Sequence, residues 1–326
     1  MSKKLLKVAV LMGGPSTEHE VSLATGKNIL ENLDSSKYQA ISAKISKKGQ
    51  WFLGDQPVEL SEALKGTDIV FNALHGTFGE DGTVQALMDY YKTKYTGSGI
   101  VASALAMDKL RSREMFKLAG LNVPKTLKIR KGENCEARLS FFMNKITSLP
   151  VVVKPCSNGS SVGVTIVNSQ EELAPAIELA FKYDEKVLVE EFIKGRELTC
   201  GVLDNFNDQP VAALPVTEIS LSNGHKFFDY EAKYKNGRVN GATPAQLDSI
   251  IYSKAQEIAV TAHQLLGCRG YSRTDMIWTP GNNDIYVLET NTLPKLTKSS
   301  LLIKATQAAG LTFSGFLDKI IQNSLV

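Results

Sequence analysis

The sequence predicts a multidomain α/β (α+β) protein with a doubly wound N-terminal α/β domain and a strand-rich α+β remainder. Three observations predict it. The chain has 326 residues, enough for two or three domains at roughly 100–200 residues each. Short, dense apolar runs alternate with helical stripes up to about residue 97, the pattern of a doubly wound sheet. Beyond residue 150 most apolar segments are short and read as strands, with a few helices to cover them.

Each element follows from local chemistry. Residues 7–12 are a dense apolar run ending at Gly13 and Gly14: a buried parallel strand and a tight turn. Thr17 and Glu20 have capping-box spacing, and Leu23, Leu30 and Leu33 form one helical stripe behind them. Residues 69–74 are a second buried strand, ending at His75 and Gly76. A turn at 79–82 leads to a helix over 84–91, and one helix is expected over 102–118. Strands at 150–154 and 162–167 flank a loop containing Gly159 and Gly163. A helix is expected at 171–181 and a strand at 186–192. Further strands follow at 197–203, 211–219, 271–278 and 285–289, with helices at 250–266 and 302–309. Residues 223–245 hold Asn, Gly and Lys with little periodicity, and a loop of that length is a functional candidate.

Composition excludes several classes. Apolar residues are 43 % and charged residues 22 % of the chain, so neither disorder nor a small disulfide scaffold fits. The net charge of +3 gives no reason to expect nucleic-acid binding. Cys135, Cys156, Cys200 and Cys268 are too scattered for a metal knuckle and fit a reducing compartment. The apolar run after Lys3 and Lys4 stops at Gly13, too early for a signal peptide, and no stretch is long enough to cross a bilayer. The expectation is a cytoplasmic protein without a membrane partner.

Four constellations carry chemistry. Arg273 and Asp275 share one face of a strand, and Glu289 and Asn291 share one face of another. Adjacent strands would present two carboxylates and an amide oxygen, hard donors that suit Mg²⁺; a solvated sheet face has the same spacing. The loop from Lys154 to Gly163 is glycine-rich enough to bring backbone N–H groups to a phosphate, although a plain hairpin turn reads the same way. Glu190, Glu191 and Glu197 can grip a ribose and an adenine amino group, or lie on a charged surface. Glu18 and His75 each follow a strand and turn, where open α/β sheets bind ligands. His19, His225 and His263 have no evident partner and read as structural or exposed.

In order, these segments resemble the D-alanine–D-alanine ligases of the ATP-grasp superfamily, over nearly the whole chain. The resemblance rests on the runs 13–23, 73–83, 95–99 and 106–109, on Lys154 with the 159–163 loop, and on 187–192. It continues through 228–234, 273–275, 289–292 and 299–301. It implies an ATP-grasp architecture of three domains: an N-terminal α/β substrate-binding domain (1–97), a central ATP-grasp domain (98–188) and a C-terminal one (189–326). The C-terminal domain would carry the metal site and a substrate-covering loop at 223–245. The implied reaction is phosphorylation of one D-alanine carboxylate by ATP, then attack by the amine of a second, for peptidoglycan precursor synthesis.

The resemblance also implies roles. Asp275, Glu289 and Asn291 would hold two Mg²⁺, with Mn²⁺ able to replace it; a monovalent cation such as K⁺ is a further expectation. Lys109, Lys154 and Lys233 would contact phosphates, with Ser160 and Ser161 in the ATP-binding loop. Glu190, the backbone of Glu191, Phe192 and Ile193, and Glu197 would hold adenosine. Glu18 would take the ammonium of the first D-alanine, with His75 nearby. Arg273 would stabilise the oxyanion, and Ser300 and Leu301 would hold the second carboxylate. Ser160 and Tyr234 would link to Glu18 and close the loop, and Tyr234 favours a dipeptide product. A homodimer is implied, with no nucleic-acid partner.

One position departs from the family pattern. Lys295 follows Pro294 where the family has glycine. A left-handed backbone there would strain a lysine by roughly 1 kcal/mol or more, and its side chain can either enter the acceptor pocket or point to solvent. Lys295 therefore motivates two alternatives: an acceptor other than D-alanine (D-lactate, D-serine or another amino acid), or an ATP-binding homologue with weakened catalysis.

Overall fold

The computed structural model describes residues 4–157, 162–221 and 239–325. The first sheet contains β1 (Leu6–Gly13), β2 (Tyr38–Ile45), β3 (Trp51–Leu53), β4 (Gln56–Val58) and β5 (Ile69–Asn72), in the order β4-β3-β2-β1-β5. β2, β1 and β5 are parallel, and β3 and β4 add antiparallel strands. Within β1, residues 8–12 are continuously apolar because the strand is covered on both faces there, whereas Lys7 is exposed. Val8, Val10 and Met12 join one core and Ala9 and Leu11 another.

The second sheet is antiparallel: β6 (Thr126–Arg130), β7 (Val151–Pro155), β8 (Thr165–Val167) and β9 (Lys186–Glu191), in the order β6-β9-β7-β8. Helix Leu173–Ala180 and Phe142 pack on it around Val151, Val153, Val187 and Val189. The third sheet contains β10 (Arg196–Phe206), β11 (Gln209–Ala213), β12 (Thr217–Leu221), β13 (Val239–Ala242), β14 (Tyr271–Thr279) and β15 (Asp284–Asn291). Its order is β13-β12-β10-β14-β15, with β11 also on β10. Helix Ser249–Leu265 covers one face through Ile251, Ala255 and Ala259. Helix Leu301–Ala308 packs on β10 of the third sheet and helix Phe313–Asn323 on helix His19–Asn32, and their Leu302, Ile303, Phe316 and Ile320 share one core with Val8 and Phe71 of the first sheet.

Several expectations change. Thr17 and Glu20 form no capping box: helix His19–Asn32 starts from Glu18 without a side-chain cap. Ser16 Oγ instead accepts the Glu18 N–H (3.1 Å) and donates to the His75 carbonyl (2.6 Å). The stretch 102–118 is two helices, Ile100–Met107 and Lys109–Leu118. Asp108 breaks it, because its extended backbone lets the carboxylate accept the N–H groups of Leu110 and Arg111 (both 3.1 Å). The 211–219 strand is two strands, separated at Pro215, which cannot donate to a ladder. The strand expected from 162 starts at Thr165, and the helix expected from 171 begins as a 3₁₀ turn, Gln170–Glu172. The boundary expected at 188 falls inside β9, and Ala106 and Phe116 pack in the core of the third sheet. Within the 223–245 loop, 239–242 is a strand.

Candidate active site

The site forms where the first and third sheets meet. β14 and β15 pair antiparallel with Asp275 opposite Glu289 and Arg273 opposite Asn291, and a bulge follows Asp275. The four side chains that the sequence places on two faces therefore share one patch. The Arg273 fork grips Asp275 with Nε on Oδ1 (2.8 Å) and Nη2 on Oδ2 (2.7 Å). Thr199 Oγ1 donates to Oδ1 (2.6 Å) and Asn291 Nδ2 to Oδ2 (3.3 Å). Burial works against the Arg273 charge, but Asp275 outweighs it and holds the guanidinium above its usual range. Glu289 meets the Lys109 ammonium at 3.1 Å.

These strands open onto a cavity of about 480 Å³. Glu18, His75, Lys109, Arg273, Glu289, Asn291, Ser300 and Leu301 line it, with Glu80, Thr297 and Lys295. Glu18 reaches it from the start of its helix, where the aligned N–H groups favour a carboxylate. Gly76 sits so close that a Cβ there would lie 3.1 Å from Glu18 Oε2, on a left-handed backbone (φ +71). His75 is buried and fixed at both nitrogens, by Thr25 Oγ1 (2.9 Å) and the Leu293 carbonyl (3.1 Å). Ser300 precedes helix Leu301–Ala308 and accepts the Thr297 N–H (3.0 Å).

Lys295 has no left-handed backbone, so the expected strain is absent. Its side chain turns into the cavity rather than toward solvent. Nζ lies 3.6 Å from Glu18 Oε1, with side-chain exposures of 25 % and 8 %.

A second cluster lies outside that cavity, on the second sheet. Glu190 is buried between Lys154 Nζ (2.8 Å) and the Arg113 guanidinium. Burial pushes the Glu190 carboxyl up, but Arg113 and Lys154 outweigh it and hold the group below the usual carboxylate range. Burial, together with the charge of Arg113, pushes the Lys154 ammonium down to about 8 against the pull of Glu190. Glu191 ends β9, where its carboxylate accepts the Lys125 N–H (3.3 Å). Phe192 and Ile193 are half-buried between β9 and β10, and Glu197 lies on β10 beside β12 and β14. Ser160, Ser161, Lys233, Tyr234 and most of the 223–245 loop lie outside the described residues.

Sequence reasoning missed Arg113. It is 3 % exposed and ties helix Lys109–Leu118 to two sheets, reaching Glu190 on β9 and the Leu288 carbonyl on β15 (2.9 and 3.0 Å). An arginine in a polar helix gives no local sign of burial. His263 is structural, as expected, but it has partners that the sequence does not reveal: it is buried between Ser272 Oγ (2.8 Å) and Asp204 (3.1 Å). His19 bonds to the Gly14 carbonyl (2.6 Å).

Two family models match the chain: the D-ala D-ala ligase N-terminus over residues 7–65 and 55–98, and the D-ala D-ala ligase C-terminus over 115–322. A D-alanine–D-alanine ligase of Pelobacter propionicus is 43 % identical, covering 97 % of this chain and 94 % of its own length. One of Geobacter sulfurreducens is 41 % identical, covering 98 % and 94 %. Among solved structures, the VanG D-Ala:D-Ser ligase from Enterococcus faecalis matches with a TM-score of 0.86 at 36 % identity, over 99 % of this chain and 100 % of that one. The D-alanine–D-alanine ligase from Bacillus anthracis complexed with ATP matches with a TM-score of 0.80 at 31 % identity, over 98 % and 97 %.

Proposed function

The chain belongs to the D-alanine–D-alanine ligase family, with an ATP-grasp fold, and we propose how its residues divide the work of that family's reaction. It is a ligase that joins two D-alanine molecules with ATP, for peptidoglycan precursors. One observation carries the residue assignment: Arg273, Glu289 and Asn291 line the same cavity as Glu18 and Ser300, with Asp275 beside them as the strand partner of Glu289.

Glu18 receives the ammonium of the donor D-alanine, with His75 fixing the neighbouring turn. Ser300 and Leu301, at the start of a helix, take the acceptor carboxylate. Arg273 is held by Asp275 through Nε and Nη2, which leaves Nη1 as the edge for the oxyanion at the attacked carbonyl. Lys109 and Lys154 contact phosphates. Glu190 and Glu197 hold the adenosine, along the backbone of 191–193. Ser160, Ser161, Lys233 and Tyr234 keep their family roles, with Ser160 and Tyr234 closing the loop over Glu18.

The donor set Asp275, Glu289 and Asn291 suits two Mg²⁺ or Mn²⁺: its oxygens are hard, and cationic side chains already sit on both carboxylates. Bound there, the ions would supply charge neutralisation between carboxylate and triphosphate. All four acceptor positions of Asp275 are taken by Arg273, Thr199 and Asn291. Turning the Asn291 amide oxygen outward frees one of them. A K⁺ requirement, a homodimer and a cytoplasmic location follow from the family reading. No helix among the described residues is long and apolar enough to cross a membrane. We place the unit boundaries near 97 and, because β9 spans 188, after Glu191 rather than within that strand.

The test is phosphate release with ATP and Mg²⁺ across D-alanine, L-alanine, D-serine and D-alanine plus D-lactate, with mass spectrometry of the product. D-alanyl–D-alanine is the expected product. Phosphate release with D-alanine no faster than the blank would refute the assignment.

A further inference from the structure

We propose that Lys295 is a specificity-determining residue of the donor subsite, its ammonium occupying the Glu18 carboxylate until a substrate ammonium displaces it. The proposal deepens the reading above, since it rests on Glu18 receiving the donor amine.

The geometry points there in three steps. Lys295 Nζ is 3.6 Å from Glu18 Oε1, and both side chains line the cavity that holds Arg273 and Ser300. Glu18 is 8 % exposed as a side chain, so its charge sits where water screens it poorly and an ammonium beside it is held more firmly than at a surface. The segment that carries Lys295 is fixed on both sides. The Leu293 carbonyl meets His75 Nδ1 at 3.1 Å, and the Leu296 carbonyl accepts from Asn28 Nδ2 at 2.6 Å. Leu293 and Leu296 are both buried in the core. The backbone of Lys295 therefore stays in place, and only its flexible four-carbon stem has to swing for the ammonium to leave.

An amino acid that brings an ammonium to Glu18 makes one ion pair by breaking another. Lysine at this position thus weakens donor binding without removing any group that receives the donor. It also sets a requirement on the donor: a ligand without an ammonium has no charge to exchange for that of Lys295. The residue acts on the first substrate rather than the second, which separates this proposal from an altered acceptor pocket.

The experiment compares the wild-type enzyme with Lys295→Met and Lys295→Arg, resolving the KM values for donor and acceptor D-alanine. In Lys295→Met the donor KM should fall by about three- to tenfold, the scale of one partly buried ion pair, while the acceptor KM moves less. Lys295→Arg keeps a cation on Glu18, and its donor KM should stay near the wild-type value. A thermal-shift arm needs no turnover: D-alanine should raise the Tm of Lys295→Met more than that of the wild type. An unchanged or higher donor KM in Lys295→Met, or a fall confined to the acceptor KM, overturns the proposal. Wild-type enzyme that forms no D-alanyl–D-alanine overturns the functional reading instead, and the thermal-shift arm still reports whether Lys295 competes for D-alanine.

Discussion

Lys154 carries a charge that the buried site holds only loosely. Its ammonium loses its proton near pH 8, because burial and Arg113 disfavour the charge. Below that value Lys154 offers a point charge to a phosphate; above it the group is neutral. The KM for ATP should therefore rise as pH increases through about 8, and Lys154→Arg should flatten that rise, since arginine stays charged. For the fold the sign reverses. A lysine held below its ordinary value of 10.5 destabilises the native state while protonated, and that cost fades as pH climbs from about 8 toward 10.5. A KM for ATP that is flat across this range in the wild type would remove Lys154 from the phosphate site. At this scale the sequence is partly legible. Asp275, Glu289 and Asn291 come together because period-2 geometry on paired strands is enough to predict it. Arg113 does not, since its burial depends on two sheets that lie far from it in sequence. Lys295 is legible as a departure from the family pattern, but its partner Glu18 is not, because only the folded chain brings residues 18 and 295 together.

Among the elements, the break at Asp108 has the clearest consequence. Its carboxylate caps helix Lys109–Leu118, accepts from the Cys156 thiol (3.4 Å) and lies 3.7 Å from Lys186. Burial pushes the Asp108 carboxyl up, but the Arg111 N–H, Cys156 and Lys186 outweigh it and hold it below the usual range. The cap also fixes Lys109, the next residue, against Glu289. Asp108→Ala should cost about 1 kcal/mol in urea unfolding and raise the KM for ATP, because Lys109 loses its fixed starting point. Loss of stability with an unchanged KM would make the cap purely structural. The sequence hides this break because 102–118 contains no glycine or proline. Aspartate inside a helical stripe reads as one more polar position until Cys156 and Lys186 are known to face it. The run 211–219 reads as one strand for the opposite reason. Its apolar residues continue across Pro215, and the interruption comes from the donor that proline lacks.

Over the whole molecule the three sheets are not equally bound together. The first and third share one core, in which Val8 and Phe71 meet Leu203, Leu214 and Tyr271. The second sheet has a core of its own, around Val153, Val187 and Val189, and polar groups such as Arg113 and Asp108 connect it to its neighbours. Amides of β6–β9 should therefore exchange through openings of lower free energy than those of β1 and β5, and ATP should slow them first. Uniform protection across all three sheets, unchanged by ATP, would refute this. The doubly wound first domain and the strand-rich remainder are legible from apolar periodicity alone. The placement of 100–118 on the third sheet is not, since nothing within those residues names the surface they cover. The shared core also ties the two ends of the chain. Phe316, Leu317, Ile320 and Ile321 join the core that holds Val8 of β1 and Phe71 of β5, while Lys37 and Tyr38 reach Asp318. Helix His19–Asn32 follows β1 in the chain and packs on it, so on the ribosome that strand has cover early, whereas the core they share waits for Phe316 and Ile320. The nascent chain must hold this core half-built until helix Phe313–Asn323 is made. A chain cut before that helix would be not a slightly smaller enzyme but a product whose oldest core has never been completed.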